Sequence, residues 1–437
     1  MEYIPGTPAE RESMLRAIEM DTFSDLYSAV PKEVLLKRPL DITKGISEIE
    51  LVVQMKSLAT KNRVYPVMFR GAGSYKHFIP AVVDNLSARG EFLTAYTPYQ
   101  AELSQGILQA IFEYQTMICE ITGLDVSNAS VYDGATAAGE AAIMVKDRKR
   151  ERILVSDAVN PQIIETIRTY AAPAGLIVES IAIKNGATDL TDLSEKLNDR
   201  TAGVYIAQPN YYGVLEDMEE ASHIVHAAGA KLIAGVNPIS LGILKSPGEY
   251  GADIAVGDGQ PLGIPMSFGG PGFGFMAVPK ENMRRLPGRI VGETKDHSNR
   301  RAYVLTLQAR EQHIRREKAS SNICSNQAWC ALRSAIYMSA VGKVGFATVA
   351  QHCYANAHYL ADRLFEIGFK RIYDKEFFHE FVTELPTSAE KLQNGLDQAG
   401  MLSGLPMNNN KMLWCATELT GKAEIDRLIN AISEICV

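Results

Sequence analysis

The sequence predicts an α/β protein built around a large, mostly parallel β-sheet, and three observations predict it. Short, near-continuous apolar runs recur between 151 and 259, helical stretches separate them, and each run ends in a polar or small residue. Strands that are apolar on both faces belong in sheets covered on both sides, which is what helical crossovers produce. The runs are ERILVSD at Glu151 to Asp157, GVYIAQPN at Gly203 to Asn210, KLIAGVN at Lys231 to Asn237 and DIAVGDG at Asp253 to Gly259. Pro161 to Ala172 and Met218 to Ala228 fit as crossover helices. Ligands of doubly wound sheets sit at the carboxyl ends of the strands. Asp157, Asn210, Asn237 and Asp258 are therefore expected to converge on one face.

Three regions follow in chain order: a helical arm over 1–61, the large α/β domain over 62–304, and a linking helix with a smaller αβ domain over 305–437. In the arm, Thr7 followed by Pro8 and Glu10 is a capping-box start with proline at the first helical position. A second short helix is expected from Thr22, and a third from Ser47 to Thr60 with Ile49, Leu51, Val52, Met55 and Leu58 on one face. Such an arm suits wrapping a partner or capping the main domain. Gly288 to Arg301, GRIVGETKDHSNRR, is polar and reads as a surface loop leading away from the sheet. The chain then returns to an αβ unit ending in LWCATEL and a terminal helix from Lys422.

At 437 residues the chain is too long for one small core. Its 46% hydrophobic and 22% charged residues are those of an ordinary globular protein. A formal net charge of -7 argues against general nucleic-acid binding. No run of about 20 apolar residues could span a bilayer, and Met1 to Met20 contains no continuous apolar core, so a cytoplasmic location is expected. The six cysteines, Cys119, Cys324, Cys330, Cys353, Cys415 and Cys436, show neither metal-ligand spacing nor a disulfide framework, and no metal site is expected. Most are expected to be buried small hydrophobes. His77, His223, His226 and His352 stand alone in sequence and read as structural.

Three stretches carry candidate chemistry. YDGATAAGEAA, Tyr132 to Ala142, is a glycine-bearing turn entering an alanine-rich helix, whose free N-terminal amides could cradle an anion. Asp133 opposes that reading, because a carboxylate there caps the same amides and repels a phosphate. The segment Thr94 to Gly106, TAYTPYQAELSQG, gathers Tyr96, Thr97, Tyr99, Gln100, Glu102, Ser104 and Gln105 around one proline. Polar groups at that density need partners, either in a site or in a solvated loop with Ser104 starting the next helix. In AREQHIRREK, Arg310, Arg315, Arg316 and Lys318 form a basic cluster. It reads either as a carboxylate-docking surface or as an exposed helix supported by Glu311 to Arg315 and His313 to Glu317 pairs. FRGAGSY, Phe69 to Tyr75, looks like a glycine turn of close approach beside the site.

Together, TAYTPYQAELSQG, SNASVYDGATAAGEAA at Ser127 to Ala142 and LTLQAREQHIRREKASSNICSNQ at Leu305 to Gln327 closely resemble glycine decarboxylase, the P-protein of the glycine cleavage system. The likeness is to the first-half, alpha-type subunit of the two-subunit form, and it runs the length of the chain. It implies the aminotransferase-like fold of pyridoxal phosphate (PLP) dependent transferases, fold type I. It further implies a partner, subunit 2, that carries PLP on a lysine in an alpha2beta2 assembly, decarboxylates glycine, and passes the aminomethyl group to the lipoyl disulfide of the H-protein. Tyr96, Thr97, Tyr99, Gln100, Glu102 and Ser104 would lie beside the inter-subunit active site.

The resemblance also marks two losses. Enzymes of this plan place an aspartate at the end of one strand and a Schiff-base lysine after the next; here Asn237 and Gln260 occupy those places. An amide cannot form an imine, and Asn237 cannot supply the charge-assisted bond of about 1.5–3 kcal/mol that an aspartate gives the ring nitrogen. No cofactor-binding residue is therefore assigned to this chain. Two rival readings are a self-sufficient PLP enzyme using another lysine, with Lys245 nearest in sequence, and a purely structural or regulatory partner.

Overall fold

A computed structural model of the chain describes residues 6–93, 96–319 and 321–436, and the chain divides into two compact units after Val64. The first carries the helices Pro8–Ala17 and Glu48–Ala59, each opened by a reciprocal capping box, Thr7 with Glu10 and Ser47 with Glu50. The expected helix after Thr22 is instead a single 3-10 turn, Phe23–Tyr27. So short a run cannot offset the cost of α-helix nucleation. None of the unit's described residues is buried, and Ile49, Leu51, Val52, Met55 and Leu58 are all exposed.

The second unit is organised by a seven-stranded sheet. Its order is Val126–Ser127, Gly274–Val278, Ile254–Asp258, Lys231–Val236, Thr201–Gln208, Arg152–Ser156, Ile177–Ile181. The last five run parallel, and Gly274–Val278 runs against both of its neighbours. Successive side chains of a strand point to opposite faces, and the core divides accordingly. Leu154, Val204, Ile206 and Leu232 pack on one face with Tyr114, Ile118 and Val225. Ile153, Val155, Tyr205 and Ile233 pack on the other with Ala137, Ala141 and Ile167. Each fully buried side chain of Leu or Ile size contributes about 1.5–3 kcal/mol. The covering helices are thus held by both halves of every strand.

Gly288 to Arg301 is not the expected surface loop. Ile290–Lys295 and Arg301–Thr306 pair as an antiparallel hairpin, and Val291, Tyr303 and Leu305 pack against Ile107, Leu108 and Ile111. The charges that make the stretch look solvated lie at its outer end, where Arg301 and Glu293 pair at 2.7 Å. Only one face and one end of the hairpin are wet, and that is enough to mask its apolar residues in sequence.

The long helix Ala328–Glu366, broken at Gly342 where φ is +61°, leads to a four-stranded antiparallel sheet. That sheet, with helices Ala389–Gln398 and Lys422–Cys436, closes over Trp414, Leu392, Leu396, Leu428 and Ile432. Val67–Met68 pairs in parallel with Met401–Leu402. Among the described residues no helix is long and apolar enough to cross a membrane.

Candidate functional site

A cavity of about 600 Å³ opens at the carboxyl ends of the parallel strands, lined by Asn210, Asn237 and Asp258 among others. Three of the four expected strand ends therefore converge; Asp157 is exposed and does not line the cavity. Among the described residues the lining contains no lysine, arginine or histidine.

Its two aspartates, Gln260 and Asn237 are hydrogen-bonded from within the chain. Asp133 caps the helix Gly134–Val145, its Oδ1 accepting from the Thr136 amide at 2.7 Å. Asp258 accepts from the Gly134 amide at 3.0 Å and from the Gln260 amide at 2.8 Å. A side chain at Gly134 would lie 2.7 Å from the Asp258 amide nitrogen, so this close approach requires glycine. Two carboxylates thus occupy the helix terminus where an anion would bind. Burial, reinforced by the neighbouring Asp133, pushes the Asp258 carboxyl up to about 6.

Gln260 is buried and clasps the Gly71 to Tyr75 turn. Its Oε1 accepts from the Tyr75 amide at 2.9 Å, and its Nε2 donates to the Tyr75 and Ile264 carbonyls, both at 2.8 Å. Asn237 caps the turn Pro238–Gly242 by accepting from the Ile239 amide at 2.9 Å, and its Nδ2 lies 3.3 Å from His379 Nε2. Burial, with His77 nearby, drives His379 down to about 3, so the ring is neutral and can accept that bond. Glu380 does not line the cavity but backs two residues that do, accepting from the Ala72 amide at 2.6 Å and the Tyr75 hydroxyl at 2.7 Å. Burial raises its carboxyl to about 7. PLP does not fit these residues: among the described residues no lysine lines the cavity to bind it, and two carboxylates sit on the helix amides that its phosphate would need. Lys245 is exposed, pairs with Glu219 and does not line the cavity.

A second constellation forms where the stretches 94–106 and 305–327 meet. Thr94, Ala95 and Ser320 fall outside the described residues. Tyr96 is 89% exposed, with its hydroxyl 3.1 Å from Ser325 Oγ. Tyr99 is about half exposed. Its hydroxyl accepts from Arg289 Nη2 at 2.9 Å, its ring lies 5.1 Å beneath the same guanidinium, and its edge faces His313 at 5.7 Å. Thr97 is half-buried, and Gln100 and Glu102 are exposed. Ser104 departs from this group: it is buried at the start of the helix Gln105–Thr122, and its side chain makes no cap bond. Gln105 fastens the segment to the hairpin through both its amide atoms, which bond the Tyr303 backbone.

Arg289 holds the constellation together and was not singled out by the sequence. It is buried, donates to Asn326 Oδ1 at 3.2 Å and to the Cys324 carbonyl, and Asn326 in turn donates to the Ala129 carbonyl at 2.8 Å. A lone arginine between Gly288 and the apolar pair Ile290 and Val291 is the only local signal. Arg310 donates to the Leu286 and Gly288 carbonyls, and burial raises the carboxyl of Glu311. Three buried atoms here, Arg289 Nε, Arg310 Nε and Glu311 Oε1, have no hydrogen-bond partner.

Of the two readings of AREQHIRREK, the exposed helix is corrected. Gln312–Arg315 is a single four-residue turn, and Arg316 has φ +53°, which ends it. The proposed i,i+4 pairs are replaced by His313 Nδ1 beside Glu311 Oε2 at 3.6 Å. Two histidines are also not solitary. His226 lies 2.8 Å from Asp253 Oδ2, and His77 lies 2.7 Å from Glu418 Oε2. Of the cysteines, Cys330, Cys353 and Cys415 are buried and Cys119 partly so, while Cys324 and Cys436 are exposed.

Comparison with known proteins converges on one family. The family model described as glycine cleavage system P-protein matches residues 1–432. A relative named probable glycine dehydrogenase (decarboxylating) subunit 1, from Moorella thermoacetica, is 48% identical over 443 residues, covering 100% of both chains. The crystal structure of glycine decarboxylase (P-protein) of the glycine cleavage system, in inhibitor-bound form, superposes with a TM-score of 0.93 at 42% identity, covering 100% of both chains. An aspartate aminotransferase from Thermus thermophilus shares the fold alone, with a TM-score of 0.60 at 16% identity over 85% of this chain and 99% of its own.

Proposed function

This chain belongs to the P-protein family of the glycine cleavage system, and on that premise we propose that it is the subunit of a glycine dehydrogenase (decarboxylating) that does not anchor the cofactor. The observation that carries this reading is the cavity at the strand ends. No lysine lines it, and Asp133 and Asp258 hold its helix amides. The cofactor then belongs on subunit 2, where PLP supplies the electron sink for loss of carbon dioxide from glycine.

This chain completes its partner's site. Tyr99, oriented by Arg289, offers a hydroxyl and a ring from a rigid base, while Tyr96, Gln100 and Glu102 offer exposed polar groups. Thr97 and Ser104 support that wall from beneath it. Preorganised groups of this kind act by orienting substrate and excluding water. The aminomethyl group passes to the lipoyl arm of the H-protein, in a cytoplasmic alpha2beta2 assembly. The exposed apolar face of Glu48–Ala59 supports an arm that grips the partner. The domain reading retains 62–304 as the large domain and 305–437 as the linking helix and small domain.

Glycine–bicarbonate exchange, measured with H-protein on this chain alone, on subunit 2 alone and on the two together, tests the reading. Activity only in the mixture is expected. Full exchange by either chain alone contradicts it.

A further inference from the structure

Away from the cavity, three side chains from distant parts of the chain meet in the interior. His77 follows the Gly71 to Tyr75 turn, Cys353 lies on the helix Ala328–Glu366, and Glu418 lies beyond the strand Lys411–Cys415. His77 Nδ1 is 2.7 Å from Glu418 Oε2, and Cys353 Sγ is 3.4 Å from the same oxygen. The donor atoms of all three lie within 4.8 Å of one another. The other carboxylate oxygen, Oε1, accepts from the Phe78 amide at 2.6 Å, which fixes the carboxylate with Oε2 turned to the histidine and the thiol.

We propose that His77, Cys353 and Glu418 bind a zinc ion. One imidazole, one thiolate and one carboxylate are a borderline-soft donor set that suits zinc. Zinc holds such donors at about 2.0–2.3 Å, so a tetrahedral site places them roughly 3.2–3.8 Å apart. The observed spacing needs a small opening of the His77 to Glu418 contact and, with His77 and Cys353 no more than 4.8 Å apart, a closing of that edge by at most about 1 Å. Charge also balances: a divalent ion with one thiolate, one carboxylate and a neutral imidazole is neutral, so binding places no net charge in the interior.

Two neighbouring polar atoms are unsatisfied. The Tyr337 hydroxyl, beside Glu418 and Cys353, is buried without a partner, and so is His77 Nε2. Buried orphans of this kind are uncommon. An ordered water or the tyrosine hydroxyl can fill the fourth zinc position, giving the Tyr337 oxygen the contact that it lacks. The ion would tie the turn that borders the cavity to the long helix and the C-terminal sheet.

The test uses the full chain, stripped with a strong chelator, dialysed against zinc and then against metal-free buffer. Elemental analysis is expected to find one zinc per chain, with none retained by Cys353→Ser and full retention by Cys436→Ser. Cobalt in place of zinc is expected to give a thiolate-to-metal absorption band in wild type and Cys436→Ser. If Cys353→Ser does not fold, the wild-type stoichiometry and the cobalt band decide alone. Wild-type chain that holds no zinc after dialysis, or cobalt that binds without the thiolate band, overturns the proposal and leaves a hydrogen-bonded trio. Zinc retained equally by a folded Cys353→Ser variant overturns it as well.

Discussion

The cavity at the strand ends and the surface around Tyr99 present opposite kinds of polarity. In the cavity, Asp133, Asp258, Gln260 and Asn237 all satisfy one another or the local backbone, and behind Asn237 the buried His379 Nδ1 is left without a partner. Around Tyr99, three buried polar atoms lack partners and Tyr96 is almost wholly exposed. An unsatisfied buried polar atom costs about 1–3 kcal/mol, which a chain tolerates where the group serves something beyond its own fold. The first region is filled by its own hydrogen bonds, and the second keeps polar groups exposed or unpartnered, as the proposed function requires of a cofactor-free cavity and a partner-facing wall. The difference separates a lost site from one held ready.

The largest effect is expected on the open side. Arg289→Ala removes the bonds to Asn326, Cys324 and Tyr99 and deprives Glu311 of the positive charge that stabilises its carboxylate most. Urea unfolding is expected to show a loss of about 3 kcal/mol, only partly restored by Arg289→Lys, which lacks the guanidinium fork. A loss below about 0.5 kcal/mol, typical of surface groups, would mean that this constellation is not held by Arg289.

A smaller effect is expected from behind the cavity lining, where Glu380 backs Ala72 and Tyr75, and it depends on pH. The Glu380 carboxyl is raised from 4.5 to about 7 in the folded state. Below about pH 4.5 both states hold the proton; between there and about pH 7 only the folded state does, so stability falls as pH rises through this window. The rise from 4.5 to about 7 corresponds to about 3 to 4 kcal/mol at most, of which roughly three quarters falls between pH 5 and pH 8. Glu380→Gln is expected to abolish that part of the decline, measured by unfolding at pH 5 and pH 8 against wild type. An unchanged difference between the two pH values would place the ionisation elsewhere.

The smallest effect is a null. Gln260→Lys supplies an amine but leaves Asn237 without a carboxylate and Asp133 and Asp258 on the helix amides. No tight PLP binding is expected by absorbance or borohydride trapping. A stoichiometric adduct would show that the cavity is less closed than its hydrogen bonds imply.

Sequence legibility follows the same division. The strands Arg152–Ser156, Thr201–Gln208, Lys231–Val236 and Ile254–Asp258 could be read because a doubly covered strand is apolar throughout, and Asp133 because a cap acts on its own helix. Arg289 could not, since a buried charge is legible only through Asn326, Tyr99 and a carbonyl at Cys324, all remote in sequence. The hairpin after Gly288 was hidden because its charged outer end outweighs its apolar face in composition. Ser104 reads like its polar neighbours, yet the first turn of its helix draws it inward. The trio of His77, Cys353 and Glu418 has no sequence spacing at all.

The central claim is that this chain supplies the wall of a site whose cofactor belongs to another subunit. Turnover of the assembled enzyme carrying Tyr99→Phe in this chain tests it most directly. Losing one preorganised polar contact typically costs about 2.7–4 kcal/mol, or roughly 10²–10³ in rate. The account predicts turnover lowered by at least about tenfold, a threshold set below that range, with assembly and the partner's PLP absorbance unchanged and Glu102→Gln acting in the same direction. Wild-type turnover in both variants would contradict it and leave this subunit a scaffold.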